Sequence, residues 1–232
     1  MTILGYSSFD WLPSALYLLL LITLSVRPRN RPETKPFIFL VQGLIFLILL
    51  VHGAVLHDSI FTPEGFVFGF AQNLSLIAWV GLAFYWFQSW MLPISSMRLM
   101  ALALAMVCAI LPDIFPGTLL SARTVSDAWF KGHFIVATSA VGLLSLAVMH
   151  AILMSIQDRA LRRQFTYAQD SRISHWLESL PPLMAMESLL FSFIYVGFAL
   201  LSLTVFSGLF FSQALFGRPL VFDHKTIFAL IS

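Results

Sequence analysis

An all-α, polytopic transmembrane helix bundle is the fold class this sequence predicts, with six complete spans, the start of a seventh and the N-terminus outside. Three observations predict it. The chain is 59% hydrophobic and 10% charged, with a mean hydropathy of +0.89, and a soluble domain of this length cannot hide that much apolar surface. The apolar residues lie in long continuous runs rather than alternating. A bilayer requires every backbone group to be paired internally, and such runs meet that as helices rather than as a barrel. Finally, the cations concentrate in alternate loops. Residues 1–232 read as a single transmembrane helical domain, truncated at its C-terminus.

The first span covers residues 12–26 and is short, with Tyr6 to Trp11 extending it at the outer interface. Spans two, three and four cover 37–56, 66–87 and 93–111. The connection from Pro112 to Lys131 is long enough for a short interfacial helix. Spans five and six cover 132–156 and 186–211. Lys225 then opens another apolar run that stops at Ser232, and eight residues cannot cross a core of roughly 30 Å, so the chain reads as a fragment of a longer protein.

Charge sets the orientation. Arg27, Arg29, Arg31, Lys35, Arg98, Arg159, Arg162, Arg163 and Arg172 fall in loops of one parity, against Arg123, Lys131, Arg218 and Lys225 in the other. The richer set belongs in the cytoplasm, which puts the N-terminus outside. Trp86 and Trp90 then fit the inner aromatic belt, and Trp11 and Trp129 the outer one. The first cation, Arg27, follows the first apolar run, so that run reads as a span rather than a cleaved signal. The sequence implies a multi-pass protein of the bacterial inner membrane, with the lipid bilayer as its first partner.

Composition excludes several classes. No basic block resembles a nucleic-acid arm. The lone Cys108 excludes an intrachain disulfide and a CxxC site, and reads as a small buried apolar residue. Phosphate-binding glycine loops, HExxH and GxSxG are absent, as is a run of buried carboxylates, so the reading leans away from an enzyme or a proton-driven pump.

Chemistry is left to histidine. His57, His133 and His224 stand at predicted membrane boundaries on the outer face. A lone interfacial His is ordinarily a headgroup anchor. Several at one level raise a ligand site, because facing imidazoles bind haem iron or a transition metal. Asp223 is an adjacent acceptor for His224. His52 lies deeper and is about 140° from His57 around the helix; its plain reading is a hydrogen bond to a neighbouring helix. His150 is roughly 25 Å from His133 along one helix, near the inner face, and His175 lies in the cytoplasmic segment. Gln72, Asn73 and Ser75 interrupt span three and read as helix-packing groups. Pro181 and Pro182 lead into span six, with Glu187 expected in its first turn. Gly197 and Gly208 allow close helix approach or leave room for a flat ligand.

Four segments together resemble a known family. They are HFIVATSAVG from His133, LPPLMAME ending at Glu187, GFALLSLTVFSG from Gly197 to Gly208, and DHKTIFALIS from Asp223. They are similar to the cytochrome c assembly family of membrane proteins (CcsA/CcmC/ResC type), and most to its small YpjD/HemX-like branch. The second half of the chain carries the motifs, and the first half matches by span pattern. The resemblance implies haem handling at the outer face by histidines that flank a tryptophan-rich WWD segment. His133 matches the family's first outer histidine. Asp223-His224-Lys225-Thr226 stands where the tail of the WWD segment belongs, so the tryptophan platform is missing.

The leading functional expectation is a haem-binding or haem-handling membrane protein in cytochrome c assembly or haem supply. Haem is its cofactor, and haem-delivery or maturation proteins are its partners. His133 and His224 would be the axial ligands of the haem iron, with His57 a substitute. A first alternative is a non-catalytic regulatory or scaffolding subunit that docks a cytoplasmic protein on the segment from Gln157 to Arg172. A second is an accessory of divalent-metal transport with an outer histidine cluster.

Overall fold

The apolar runs fold as six α-helices among the described residues, which in this computed structural model are 10–27, 33–121, 128–164 and 180–216. They are α1 (Leu12–Ser25), α2 (Lys35–Ile60), α3 (Phe70–Gln88), α4 (Arg98–Ile114), α5 (Ala128–Gln164) and α6 (Leu183–Phe216). All except α1 are long and apolar enough to cross a membrane, α4 together with the 3-10 turn from Ser95 to Met97 that leads into it. At 14 residues, α1 reaches about 21 Å, short of a full hydrocarbon core. It is nonetheless packed in the bundle against α2 and α4, with Tyr17 fully buried.

The molecule is an all-α membrane bundle with a small sheet at one end. Helix α3 packs on α2, α4 and α5, and α5 packs along α6. The main core joins Tyr17, Ile45, Leu82, Leu102, Leu143 and Leu189, so each of the six helices contributes to it. Close approach of α5 and α6 depends on Gly197: an added Cβ would stand 2.9 Å from Cγ and Cδ2 of Leu144.

Two departures from the sequence reading concern the connections. Residues 61–68, read as loop and the start of a span, form a hairpin of β1 (Phe61–Thr62) and β2 (Gly65–Phe68). The segment expected to hold an interfacial helix supplies β3 (Thr118–Ser121), paired antiparallel to β2 from Gly65↔Ser121 to Phe68↔Thr118. Residues 122–127 of that connection lie outside the described residues. Local chemistry explains the hairpin. Pro63 and Glu64 form the turn, and Gly65 has φ 150°, a value that disfavours other side chains. Phe66, Val67 and Phe68 then suit a half-buried strand.

Helix starts also shift. Pro182 accepts the first bonds of α6, from the N–H groups of Ala185 and Met186 (2.9 and 3.1 Å). The helix therefore begins at Leu183, and Glu187 falls beyond the acid-free first turn rather than in it.

The sheet ties the α2–α3 and α4–α5 connections together at one end. At the opposite end Arg98 forms a two-pronged pair with Glu33 (3.0 and 3.2 Å), joining the α1–α2 connection to the start of α4. Among the described residues, the α2–α3 and α4–α5 connections thus meet at one end, and the α1–α2 connection meets the start of α4 at the other.

Candidate functional site

The imidazoles separate by environment. His52 is 2% exposed, in mid-helix on α2. Its Nδ1 lies 3.1 Å from the Tyr17 hydroxyl of α1 and its Nε2 3.0 Å from Ser75 Oγ of α3. Both ring nitrogens are engaged by hydroxyls, which donate or accept as required. This is the helix-to-helix bond expected from the sequence, and Ser75 is the packing group expected of span three. Gln72 is likewise buried, and Cys108 is a buried thiol.

His133 sits one turn into α5, at the end of the bundle that carries the sheet. Its Nδ1 is 2.8 Å from Ser207 Oγ on α6, and Ser207 Oγ in turn donates to the Thr204 carbonyl at 3.1 Å. With the hydroxyl proton directed at Thr204, Ser207 accepts from Nδ1–H. That places the ring proton on Nδ1, the tautomer common to histidines whose other nitrogen serves as a metal ligand. A Cβ added at Gly208 would stand 3.7 Å from His133 Cε1, an ordinary contact. Ser207 escaped the sequence reading; the signal available was a small polar residue inside an apolar helix, next to a glycine already singled out.

His57 is exposed in the last turn of α2. Its Nδ1 is 3.1 Å from the Asp58 carboxylate. A carboxylate oxygen accepts, so Nδ1 carries a proton here too, and in the neutral ring Nε2 holds the lone pair. The ring lies 5.1 Å from that of Phe61. Phe61 is tilted against Phe66 at 5.7 Å and edge-on to Phe134 at 6.5 Å, while Phe66 also meets Phe130 and Phe134. The Lys131 ammonium lies 4.8 Å over the Phe61 ring. The end of the bundle that carries the sheet thus holds a bed of aromatic rings, with His57 on one side and a cation above. His133 faces α6, while its neighbour Phe134 faces the bed. His224 lies outside the described residues, as does His175. Among the described residues no cluster of three or more His, Cys, Asp or Glu side chains is placed to hold a bare metal ion.

Toward the other end, His150 is 6% exposed on α5, with Nε2 3.0 Å from the Met186 carbonyl of α6. It borders a cavity of about 420 Å³ between α3, α4, α5 and α6.

No curated protein and no solved structure matches the chain. A family model does. The model described as Cytochrome C assembly protein matches residues 40–232, from early in α2 to the last residue, and so takes in the aromatic bed, His57, His133, Ser207 and the segment with His224. With most of its length matched, the chain belongs to the cytochrome c assembly protein family, a family of membrane proteins associated with haem handling.

Proposed function

We propose that this protein is a haem-binding or haem-handling component of cytochrome c biogenesis in the bacterial inner membrane, closest to the YpjD/HemX-like branch, with six spans and its N-terminus outside. The haem site is at the outer face, with His133 and His224 as axial ligands and His57 as a substitute. The observation that carries this reading is the tethered imidazole of His133. Ser207 holds Nδ1, which orients the ring, and Gly208 lies against the ring edge, where an added Cβ would stand 3.7 Å from Cε1.

The surroundings fit the group. A porphyrin needs apolar surroundings, and Phe61, Phe66, Phe130 and Phe134 pack together at this end of the bundle, on the side of His57. Its acid groups need a cation, and Lys131 stands over Phe61. Bound haem supplies an iron that accepts one or two imidazole nitrogens. The chain's part is to orient His133 through Ser207, to exclude water with the phenylalanines and to offer charge from Lys131. Haem-delivery or cytochrome c maturation proteins would be the partners.

The test is purification of the full protein from haem-replete cells, with spectra recorded beside His133→Ala and His224→Ala. A Soret band weakened by either substitution is expected. Intact protein without a band in any preparation would overturn the haem reading. A scaffold that docks a soluble protein would instead lose function on charge reversal at Arg159, Arg162 and Arg163. A metal-transport accessory would carry stoichiometric metal without porphyrin.

A further inference from the structure

At the end of the bundle away from the sheet, the outward face of α2 is uneven. Lys35, Phe39, Gly43 and Leu47 follow one another at four-residue spacing, so they share one face of the helix. All four are exposed, toward where lipid lies. Gly43 leaves a dip in that face, because a Cβ added there would meet nothing within 4 Å. Aromatic rings wall the dip on the side of α3. Phe39 is tilted against Trp90 at 5.4 Å, Trp90 meets Trp86 edge-on at 6.1 Å, and Trp86 stacks on Phe46 at 5.1 Å. The Trp86 indole N–H donates to the Gln42 carbonyl at 2.9 Å, which fixes the wall to α2.

Charge at the head of this strip has one sign. The Lys35 ammonium has no acceptor among the described residues. Arg27 stands at the same end, its guanidinium 3.4 Å over the Phe37 ring. From Leu12 to His57 and from Gly65 to Pro112 the sequence holds a single acid, Glu33, and both of its oxygens are held by Arg98. A cationic head is thus left above an apolar, ring-walled tail. The strip also has the length of one leaflet. Lys35 to Leu47 rises roughly 18 Å along the helix, against about 15 Å for half of a hydrocarbon core with the headgroup level above it.

We propose that this strip binds one anionic phospholipid, its phosphate on Lys35 and one acyl chain over Gly43, between Phe39 and Leu47 and against Trp90 and Trp86. The dip receives the chain, and the cations choose the headgroup. A zwitterionic lipid brings its own cation to a place that is already cationic, so a headgroup of net negative charge is preferred.

The test uses the full chain in nanodiscs of phosphatidylcholine that carry a small share of dibrominated phosphatidylglycerol or, as the neutral probe, dibrominated phosphatidylcholine. Bromine quenches nearby indoles, and the share of quenching that belongs to the strip is the part lost in Trp90→Phe, which keeps a ring against Phe39. Phosphatidylglycerol is expected to quench that share at about fivefold lower mole fraction, the effect of one cation on an anionic headgroup. Lys35→Gln is expected to bring the two probes together, and Lys35→Arg to keep them apart. Gly43→Leu fills the dip without touching the charges and is expected to weaken quenching by both probes; its added Cβ meets nothing, so the fold has no reason to fail. Arg159→Gln removes an exposed cation of α5 and is expected to leave the preference unchanged. Equal quenching by the two probes, or a preference that survives Lys35→Gln, would overturn the proposal. So would a preference that falls as far with Arg159→Gln, because the attraction would then belong to the charged surface as a whole.

Discussion

His52 and His133 are both imidazoles on membrane helices, and their surroundings differ. His52 is buried where α1, α2 and α3 meet, with each nitrogen bonded to a hydroxyl from a different helix. His133, at the end of the bundle that carries the sheet, bonds through Nδ1 to a serine of α6 whose hydroxyl also reaches the Thr204 carbonyl. Two occupied nitrogens make a histidine a cross-brace. A half-buried ring at the end of the bundle is the one proposed as a ligand. The lesson is that place in the bundle separates the two rings: one braces three helices in the core, and the other joins α5 to α6 at the end that carries the sheet.

The largest effect that sharpens this comparison is spectroscopic. His133→Ala is expected to remove most of the Soret absorbance of protein from haem-replete cells while leaving the helical circular dichroism intact. His52→Phe is expected to do the reverse. It strands the hydroxyls of Tyr17 and Ser75 in the core, costing about 1–3 kcal/mol each, and lowers the midpoint of denaturant unfolding without moving the absorption spectrum. A spectrum that responds to His52 and not to His133 would break the distinction.

Ser207→Ala is the next step down. It leaves the His133 ring in place but removes the acceptor that fixes its tautomer. Losses of 10- to 100-fold in affinity are usual, in order of magnitude, when such an orienting partner is removed. A haem titration of the variant is expected to show weakening with an unshifted count of bound haem per chain. Unchanged affinity would mean that the serine packs and does not orient.

The two glycines of α6 repeat the contrast on a smaller scale. At Gly197 an added Cβ meets Leu144 at 2.9 Å, whereas at Gly208 it meets His133 Cε1 at an ordinary 3.7 Å. Gly197→Ala is expected to lower stability by about 1–3 kcal/mol through overpacking. Gly208→Ala is expected to leave stability unchanged or to raise it by up to about 1 kcal/mol through helix propensity. Denaturant midpoints of the two variants decide it, and equal losses would remove the distinction between a packing glycine and a site glycine.

The sequence showed the helices because each long apolar run has a single solution in a bilayer, and the observed helices overlap all six expected spans. It did not show the sheet. The run from Phe66 to Phe68 is as apolar as a span, and hydropathy cannot tell a short buried strand from the edge of a helix. The Thr62-Pro63-Glu64-Gly65 turn was the legible signal, and β3 was not legible because its pairing is made across two separate connections. At the site, His133 and His57 were readable by type and level. The aromatic bed was not, because the phenylalanines that build it come from β1, β2 and α5, and the sequence spaces many others onto the lipid-facing surface. His52 was readable as a braced group, but Tyr17 as its partner was not, since residues 35 apart become neighbours only when α1 is docked.

The smallest effect concerns the two ends of the bundle. The sheet joins the connections at one end by backbone pairing. The Arg98–Glu33 pair joins them at the other by charge, with Arg98 nearly buried and Glu33 side chain 38% exposed. Backbone pairing is insensitive to ionic strength, whereas a half-exposed ion pair is screened by it. Glu33→Gln keeps the side-chain volume and one acceptor, and is expected to lower stability by about 1 kcal/mol at low salt, the upper end for exposed pairs because only one partner is open to water. In high salt the deficit is expected to shrink toward zero, since the screening that weakens the native pair leaves the variant untouched. Unfolding midpoints of both proteins across a salt series measure this. A deficit that persists undiminished at high salt would mean that Glu33 holds Arg98 by hydrogen bonding at a buried site, and that this end of the bundle is fastened as firmly as the sheet.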